Sequence, residues 1–294
     1  MKILLTGING QVGFYLNQKL SPFYEVFGAT RENFDLTNID QMENVIEEFR
    51  PEVIINPAAY TYVDKAESEL DLVFKTNTAA VKFLAEQSEK LGIPLIQLST
   101  DYVFDGIKKG TYTEIDKANP QTVYGKSKYE AETAIQESNP KHIILRTSWV
   151  YSLRGKNFLT TILGLAKNKE SFDIIFDQIG SPTSAIFIAN TILEITKKIE
   201  QIEKNNLYGI YNLTCSGSTS WFEFAKTIIL FAQKEGLSLK STPESIKPVK
   251  TSDFITLASR PKNSTLNNQK LVKTFEINCP EWQNELKLIM SDKV

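Results

Sequence analysis

Apolar residues in the first half of the chain fall into short runs separated by stretches in which they recur every three or four positions. The runs are Ile3-Leu4-Leu5, Glu25-Val26-Phe27-Gly28-Ala29, Val53-Ile54-Ile55-Asn56, Leu95-Ile96-Gln97-Leu98 and His142-Ile143-Ile144-Leu145. Near-continuous apolar character over so few residues predicts strands covered on both faces. Between them, Ile39, Met42, Val45, Ile46 and Phe49 share one face of a predicted helix, with Thr37 as its N-cap and Pro51 closing it. Thr76 to Leu91 repeats that pattern and is ended by Gly92 and Pro94. Strands alternating with helices predict an α/β fold, a doubly wound parallel sheet with helices on both faces.

The texture changes after residue 150. Helical periodicity continues at 157–168, 184–203 and 219–235, but the strand candidates shorten to Phe172–Phe176 and Ile210–Leu213. The stretch 236–268 is rich in Ser, Thr, Pro and Lys. The predicted organisation is a first domain over 1–150, with about 183–205 returning to it. Residues 151–182 and 206–294 form a smaller α/β lobe.

Composition narrows the class of partner. Lys plus Arg number 33 against 35 for Asp plus Glu, so no net positive field favours nucleic acid or an anionic membrane. An anionic small substrate therefore needs locally placed Arg or Lys. The two cysteines, Cys215 and Cys279, have no CxxC spacing and read as buried thiols rather than a disulfide frame or zinc site. The four apolar or small residues before Gly7 are too few for a signal peptide core, and no apolar run reaches the ~18 residues of a membrane span. The expected location is the cytoplasm. His142 is the one histidine and sits at the start of a predicted buried strand, which disfavours chemistries that need a histidine base.

Gly7-Ile8-Asn9-Gly10-Gln11-Val12-Gly13 is a GxxGxxG turn between the first strand and a helix running to about Leu20. Such glycines let the chain turn tightly, approach a pyrophosphate and pack helix on strand, while the helix N-terminus offers free N–H groups to the phosphates. The predicted ligand is a nicotinamide dinucleotide. The second strand ends Ala29-Thr30-Arg31, without the acidic residue that holds ribose hydroxyls. Arg31 suits a 2′-phosphate and favours NADPH, whereas the adjacent Glu32 leaves NADH open. Asp35 and Leu36 are placed to border the adenine.

Tyr124-Gly125-Lys126-Ser127-Lys128 puts Tyr124 and Lys128 one helical turn apart, about 6 Å. Ser99-Thr100 ends a buried strand, at the edge where parallel sheets bind ligands. Hydroxyl, phenol and ammonium together suit carbonyl reduction. Thr100 would fix the carbonyl oxygen, Tyr124 would protonate the alkoxide, and Lys128 would lower the phenol from its free value of about 10.

With these motifs the chain resembles the extended short-chain dehydrogenases/reductases and, more narrowly, the dTDP-4-dehydrorhamnose reductases. The likeness runs through Asn56 to Thr61, Val63 to Glu67, Ser99 to Gly106, Tyr124 to Lys128, Arg146 to Tyr151, Asp177 to Thr183 and Ser259 to Leu266. It implies a Rossmann-like fold, an NAD(P)H cofactor and a nucleotide-sugar substrate whose 4-keto group is reduced. By resemblance, Thr100, Tyr124 and Lys128 form the triad, and Asp101, Tyr102 and Trp149 line the sugar pocket. Ala58, Ala59, Tyr60 and Ser99 border the cofactor, with Asn77 supporting the backbone. Arg260 and Asn263 lie in the substrate lobe, Arg260 facing the diphosphate. Pro57 departs from the alanine common there, and Tyr15 stands where metal-using relatives carry a carboxylate, so no metal is expected. A homodimer is left open by the resemblance. Two other readings share the scaffold: a nucleotide-sugar epimerase or dehydratase, and a non-catalytic protein like the methionine adenosyltransferase regulatory subunit. Tyr102 in place of a dehydratase glutamate argues against the first, and the intact triad argues against the second.

Overall fold

The computed structural model describes residues 1–201, 205–254 and 256–291. Six strands, β1 (Lys2–Leu5), β2 (Glu25–Gly28), β3 (Val53–Asn56), β4 (Leu95–Thr100), β5 (His142–Thr147) and β6 (Gly209–Asn212), form one sheet ordered β6-β5-β4-β3-β1-β2. Every neighbouring pair is parallel. Because side chains alternate across a strand, the apolar runs feed two cores at once. Ile3, Leu5, Ile55, Ile96, Leu98, Ile143 and Leu145 enter one core, while Leu4, Ile54, Leu95 and Ile144 enter the other.

Helix α1 (Gln11–Leu20) and the helix Ala185–Gln201 pack together and supply the first face through Leu16, Leu20, Ile188 and Ile192. The helices Ile39–Phe49, Ala80–Lys90 and Val123–Ser138 cover the second through Met42, Ile46, Leu84 and Ile135. The first core continues without a break into the smaller lobe, through Phe224, Ile228, Trp282 and Leu286 of the helices Trp221–Lys234 and Trp282–Ser291. Among the described residues no helix is long and apolar enough to cross a membrane.

Several elements differ from the sequence reading. Asn38, not Thr37, caps the second helix: its side chain accepts from Gln41 N, while Thr37 donates N–H and Oγ–H to Asp35. Arg50, in the left-handed region at φ 51°, ends that helix before Pro51. The helix predicted from Thr76 is preceded by helical residues from Leu70, joined through a wider π turn at Lys75–Ala79. Positions 202 and 203 of the predicted 184–203 helix lie outside the described residues. The strand assigned to the lobe at Ile210–Leu213 is β6, which extends the main sheet beyond β5, so the 206–294 boundary is corrected there. His142 opens β5 with Nδ1 2.5 Å from Asn139 O, and burial pushes its pKa down. Both cysteines are free and buried.

Candidate active site

The strand order reverses between β1 and β3, and the turns after these strands meet there. Gly7 takes φ 60°, and a Cβ on it would stand 2.9 Å from the Ala58 Cβ. A Cβ on Gly13 would stand 2.1 Å from Gly7 O, so only glycine lets α1 leave the strand at this angle. Gly10 N donates to Gly7 O at 2.9 Å, and no side chain caps α1. The N–H groups of the helix N-terminus are thus left facing a bare cradle, which fits a pyrophosphate. Val12 is buried in the core, so only its backbone can serve a ligand there, and Gln11 accepts from Ser152 Oγ at 2.9 Å. Asn9 is exposed.

Buried polar groups brace the two turns. Thr6 Oγ1 donates to Asn56 Oδ1, Asn56 Nδ2 donates to Gln97 at 2.7 Å, and Ala58 N donates back to Thr6 Oγ1 at 3.3 Å. Asn77 clamps the next segment, accepting from Tyr60 N at 2.8 Å and donating to Tyr60 O and Ser127 Oγ at 3.1 Å each. Ala58 and Ala59 are half-buried along the same wall. Beyond β2, Thr30 is tied to Asn33, Asp35 is occupied by Thr37, and Leu36 is buried. Arg31 stands exposed at the rim.

The chemical groups converge at the end of β4. Thr100 Oγ1 accepts from Tyr102 N at 3.2 Å, which starts a tight turn at Asp101–Val103, and donates to Asp101 Oδ1 at 3.0 Å. The helix Val123–Ser138 starts against this turn. Thr122 caps it by accepting from Gly125 N at 3.0 Å, and a Cβ on Gly125 would lie 2.3 Å from Tyr102 O. The close approach carries Tyr124 to Thr100, which hydrogen-bonds its phenol, and sets Tyr102 and Tyr124 edge to face at 5.6 Å. One turn on, buried Lys128 donates Nζ–H to Leu98 O at 2.7 Å.

The electrostatics correct one expectation. The Tyr124 phenol is pushed up, not down: burial dominates, Asp101 and Tyr102 add to it, and only the Thr100 hydrogen bond opposes them. Lys128 donates its ammonium to the Leu98 carbonyl, and burial lowers its own pKa to about 8 against the pull of Glu132. A proton is therefore held firmly on the phenol, the state a proton donor needs. Burial also raises the Asp101 carboxyl to about 6, and its Oδ2 has no partner among the described residues. Ser99, expected beside the cofactor, gives its hydroxyl to Glu132 instead.

A cavity of about 370 Å³ adjoins this cluster through Tyr102, and is also walled by Trp149, Phe158, Gln178, Trp221 and Arg260. Trp149 has φ 49° and stacks on Trp221 with ring centroids 3.4 Å apart. Gly180 makes room for it, since a Cβ there would meet the indole at 2.3 Å. Gln178 accepts from Trp221 Nε1 at 3.2 Å and holds the lower ring. Arg260 donates to the Tyr102 hydroxyl at 3.0 Å and pairs with Asp64. Asn263 is not brought to the cavity: its amide donates to Lys108 O and Gly110 O, and the neighbouring Ser264 lines the wall. Phe158, Gln178 and Trp221 were given no site role by the sequence reading, although Gln178 lies in one of the segments that carry the resemblance. Two of them are aromatics at the starts of helices, a pattern shared with ordinary core packing.

Fold and site define a Rossmann-type oxidoreductase of the short-chain dehydrogenase/reductase class. A second, larger cavity beside Asn263 is not lined by Tyr102, the residue through which the first meets Tyr124. The chain belongs to the family described as the RmlD substrate binding domain, whose model matches residues 1–294. It is 39% identical over 291 residues to the dTDP-4-dehydrorhamnose reductase of Sinorhizobium fredii, covering 99% of this chain and 97% of that protein. The Aggregatibacter actinomycetemcomitans protein of the same name is 40% identical, with 98% of each chain covered. The crystal structure of dTDP-4-dehydrorhamnose reductase from Bacillus anthracis in complex with NADP superposes with a TM-score of 0.90 at 36% identity, covering 99% of both chains.

Proposed function

We propose that this protein uses NADPH to reduce the 4-keto group of dTDP-4-dehydrorhamnose, giving dTDP-L-rhamnose. The observation that carries the reading is the meeting of Thr100, Tyr124 and Lys128 beside the glycine cradle. Gly7, Gly10 and Gly13 with the N-terminus of α1 would hold the pyrophosphate, and Arg31 the 2′-phosphate. When bound, the nicotinamide supplies the hydride. Thr100 Oγ1 and the Tyr124 hydroxyl fix the ketone oxygen, so that one face of its carbon is presented to the cofactor. As charge develops on that oxygen, Tyr124 hands over its proton, and the Lys128 ammonium favours the phenolate left behind. Trp149 and Tyr102 wall the sugar, Arg260 meets the diphosphate, and the relatives of 36–40% identity that carry the reductase name support this substrate. A dehydratase would need an acid at position 102, where the Tyr102 hydroxyl instead accepts from Arg260.

The test is stoichiometric. NADPH oxidation is followed with dTDP-4-dehydro-6-deoxy-L-lyxo-hexose, and the product is identified by NMR. One NADPH consumed per L-rhamnosyl product is expected. Interconversion of sugars without net NADPH loss would refute the proposal.

A further inference from the structure

Beneath the crevice lies a group of charged side chains that the reaction above leaves unused. Glu132 follows Lys128 by four residues on the helix Val123–Ser138, so the two share a face. Its carboxylate receives Nε and Nη2 of Arg146 at 2.9 and 2.6 Å and the hydroxyl of Ser99 at 2.6 Å. The Arg146 guanidinium also lies 5.0 Å from the centre of the Phe104 ring. Glu132, Lys128 and Arg146 are 1%, 3% and 3% exposed, so water does little to support any of these charges. Ser99, which fixes Glu132, is the neighbour of Leu98, whose carbonyl fixes Lys128.

We propose that Glu132 is a positioning residue: its carboxylate, anchored by Arg146 and Ser99, keeps the Lys128 ammonium charged and in place under Tyr124. This rests on the reductase chemistry given above. Burial lowers Lys128, and Glu132 is the group that pulls it back up. Tyr124 on the same helix, Arg146 from β5, and Asp101 and Tyr102 from the turn after β4 also face this region. On the helices at 63–66, 70–74 and 80–90, Asp64 is paired with Arg260 and the other charged residues are exposed. Without a counter-charge, a buried lysine releases its proton, and here it would lose the charge that favours the phenolate.

The experiment compares pH profiles of kcat for wild type, Glu132→Gln, Glu132→Asp and the double variant Glu132→Gln/Arg146→Met. Wild-type activity is expected to fall as the pH rises through the titration of Lys128. In Glu132→Gln that alkaline limb is expected about 1 pH unit lower, with KM for the sugar little changed. Glu132→Asp keeps the charge and should restore the limb. The double variant leaves no unpaired guanidinium in the core, so it keeps the readout if the single variant fails to fold. A limb at the wild-type position in folded Glu132→Gln or in the folded double variant overturns the proposal, as does failure of both of these to fold, which would assign a structural role. Wild type inactive with the sugar substrate would instead overturn the reductase reading.

Discussion

A tyrosine that donates a proton must hold it until the alkoxide forms, and burial of Tyr124 beside Asp101 does this. Replacing it with phenylalanine removes the proposed donor and little else. Tyr124→Phe should lower kcat by about 10²–10⁴-fold with NADPH affinity nearly intact; measured turnover close to wild type would remove Tyr124 from the mechanism. Asp101 carries the opposite kind of burden. Its carboxyl is raised to about 6, so the folded protein keeps a proton that the unfolded chain releases from about pH 4 upward. That stabilising share is complete below about pH 4 and lost as the pH rises through 6. At neutral pH the ionised group is a net cost of about 3 kcal/mol, from a pKa raised by roughly 2. Asp101→Asn keeps an acceptor for Thr100 Oγ1 and removes the charge. Its melting temperature should exceed that of wild type at pH 7, and the gain should shrink toward pH 4 in thermal scans. An unchanged melting temperature at pH 7 would show that solvent or a neighbour already supports the charge.

Elements were legible where one physical cause fixes them. Strands β1, β3, β4 and β5 are buried on both faces and read directly from their apolar runs. Edge strand β6 mixes glycine, tyrosine and asparagine, with its first two residues only half-buried, and its place in the main sheet rather than the lobe was therefore not legible. The two-residue strands Ile179–Gly180, Thr219–Ser220 and Asn263–Ser264 exist only because three distant segments pair, which no local pattern announces. At the candidate site, the approach of Thr100 to Tyr124, with Lys128 one turn on, was legible because strand end and helical spacing converge. The Trp149–Trp221 stack was not, because it depends on a left-handed backbone and an absent Cβ. That stack gives a prediction at this scale. Gly180→Ala drives a methyl into the Trp149 ring, so the wall must shift. KM for the sugar substrate should rise about tenfold or more, corresponding to about 1.4 kcal/mol, while NADPH titration stays at the wild-type value. Equal KM values would mean that Trp149 does not shape the pocket.

At the scale of the molecule, the unbroken core between sheet and lobe leaves little freedom for hinging as two bodies, so adjustment belongs to the rim. There, the loop from Thr256 to Ser264 walls the cavity and is fastened to the sheet half by Asp64. One carboxylate oxygen accepts from Ala258 N at 3.2 Å, and the other pairs with Arg260. Asp64 is partly exposed, so its worth to global stability is small, at most about 1 kcal/mol. Its effect on where the Arg260 guanidinium points is not small, because Tyr102 alone would then restrain it. Asp64→Asn retains an acceptor for Ala258 N but surrenders the ion pair. If the pair preorganises Arg260 for the diphosphate, KM for the nucleotide sugar should rise about tenfold, with kcat within about twofold and the melting temperature barely moved. If Asp64 instead competes with the diphosphate for the guanidinium, the same substitution lowers KM. Steady-state kinetics at low ionic strength, where an exposed pair is least screened, decides between the two by sign. The edge-on contact of Tyr102 with Tyr124 favours the first outcome, since a guanidinium held by both Asp64 and Tyr102 keeps the Tyr124 phenol and the proposed anion site in one fixed frame.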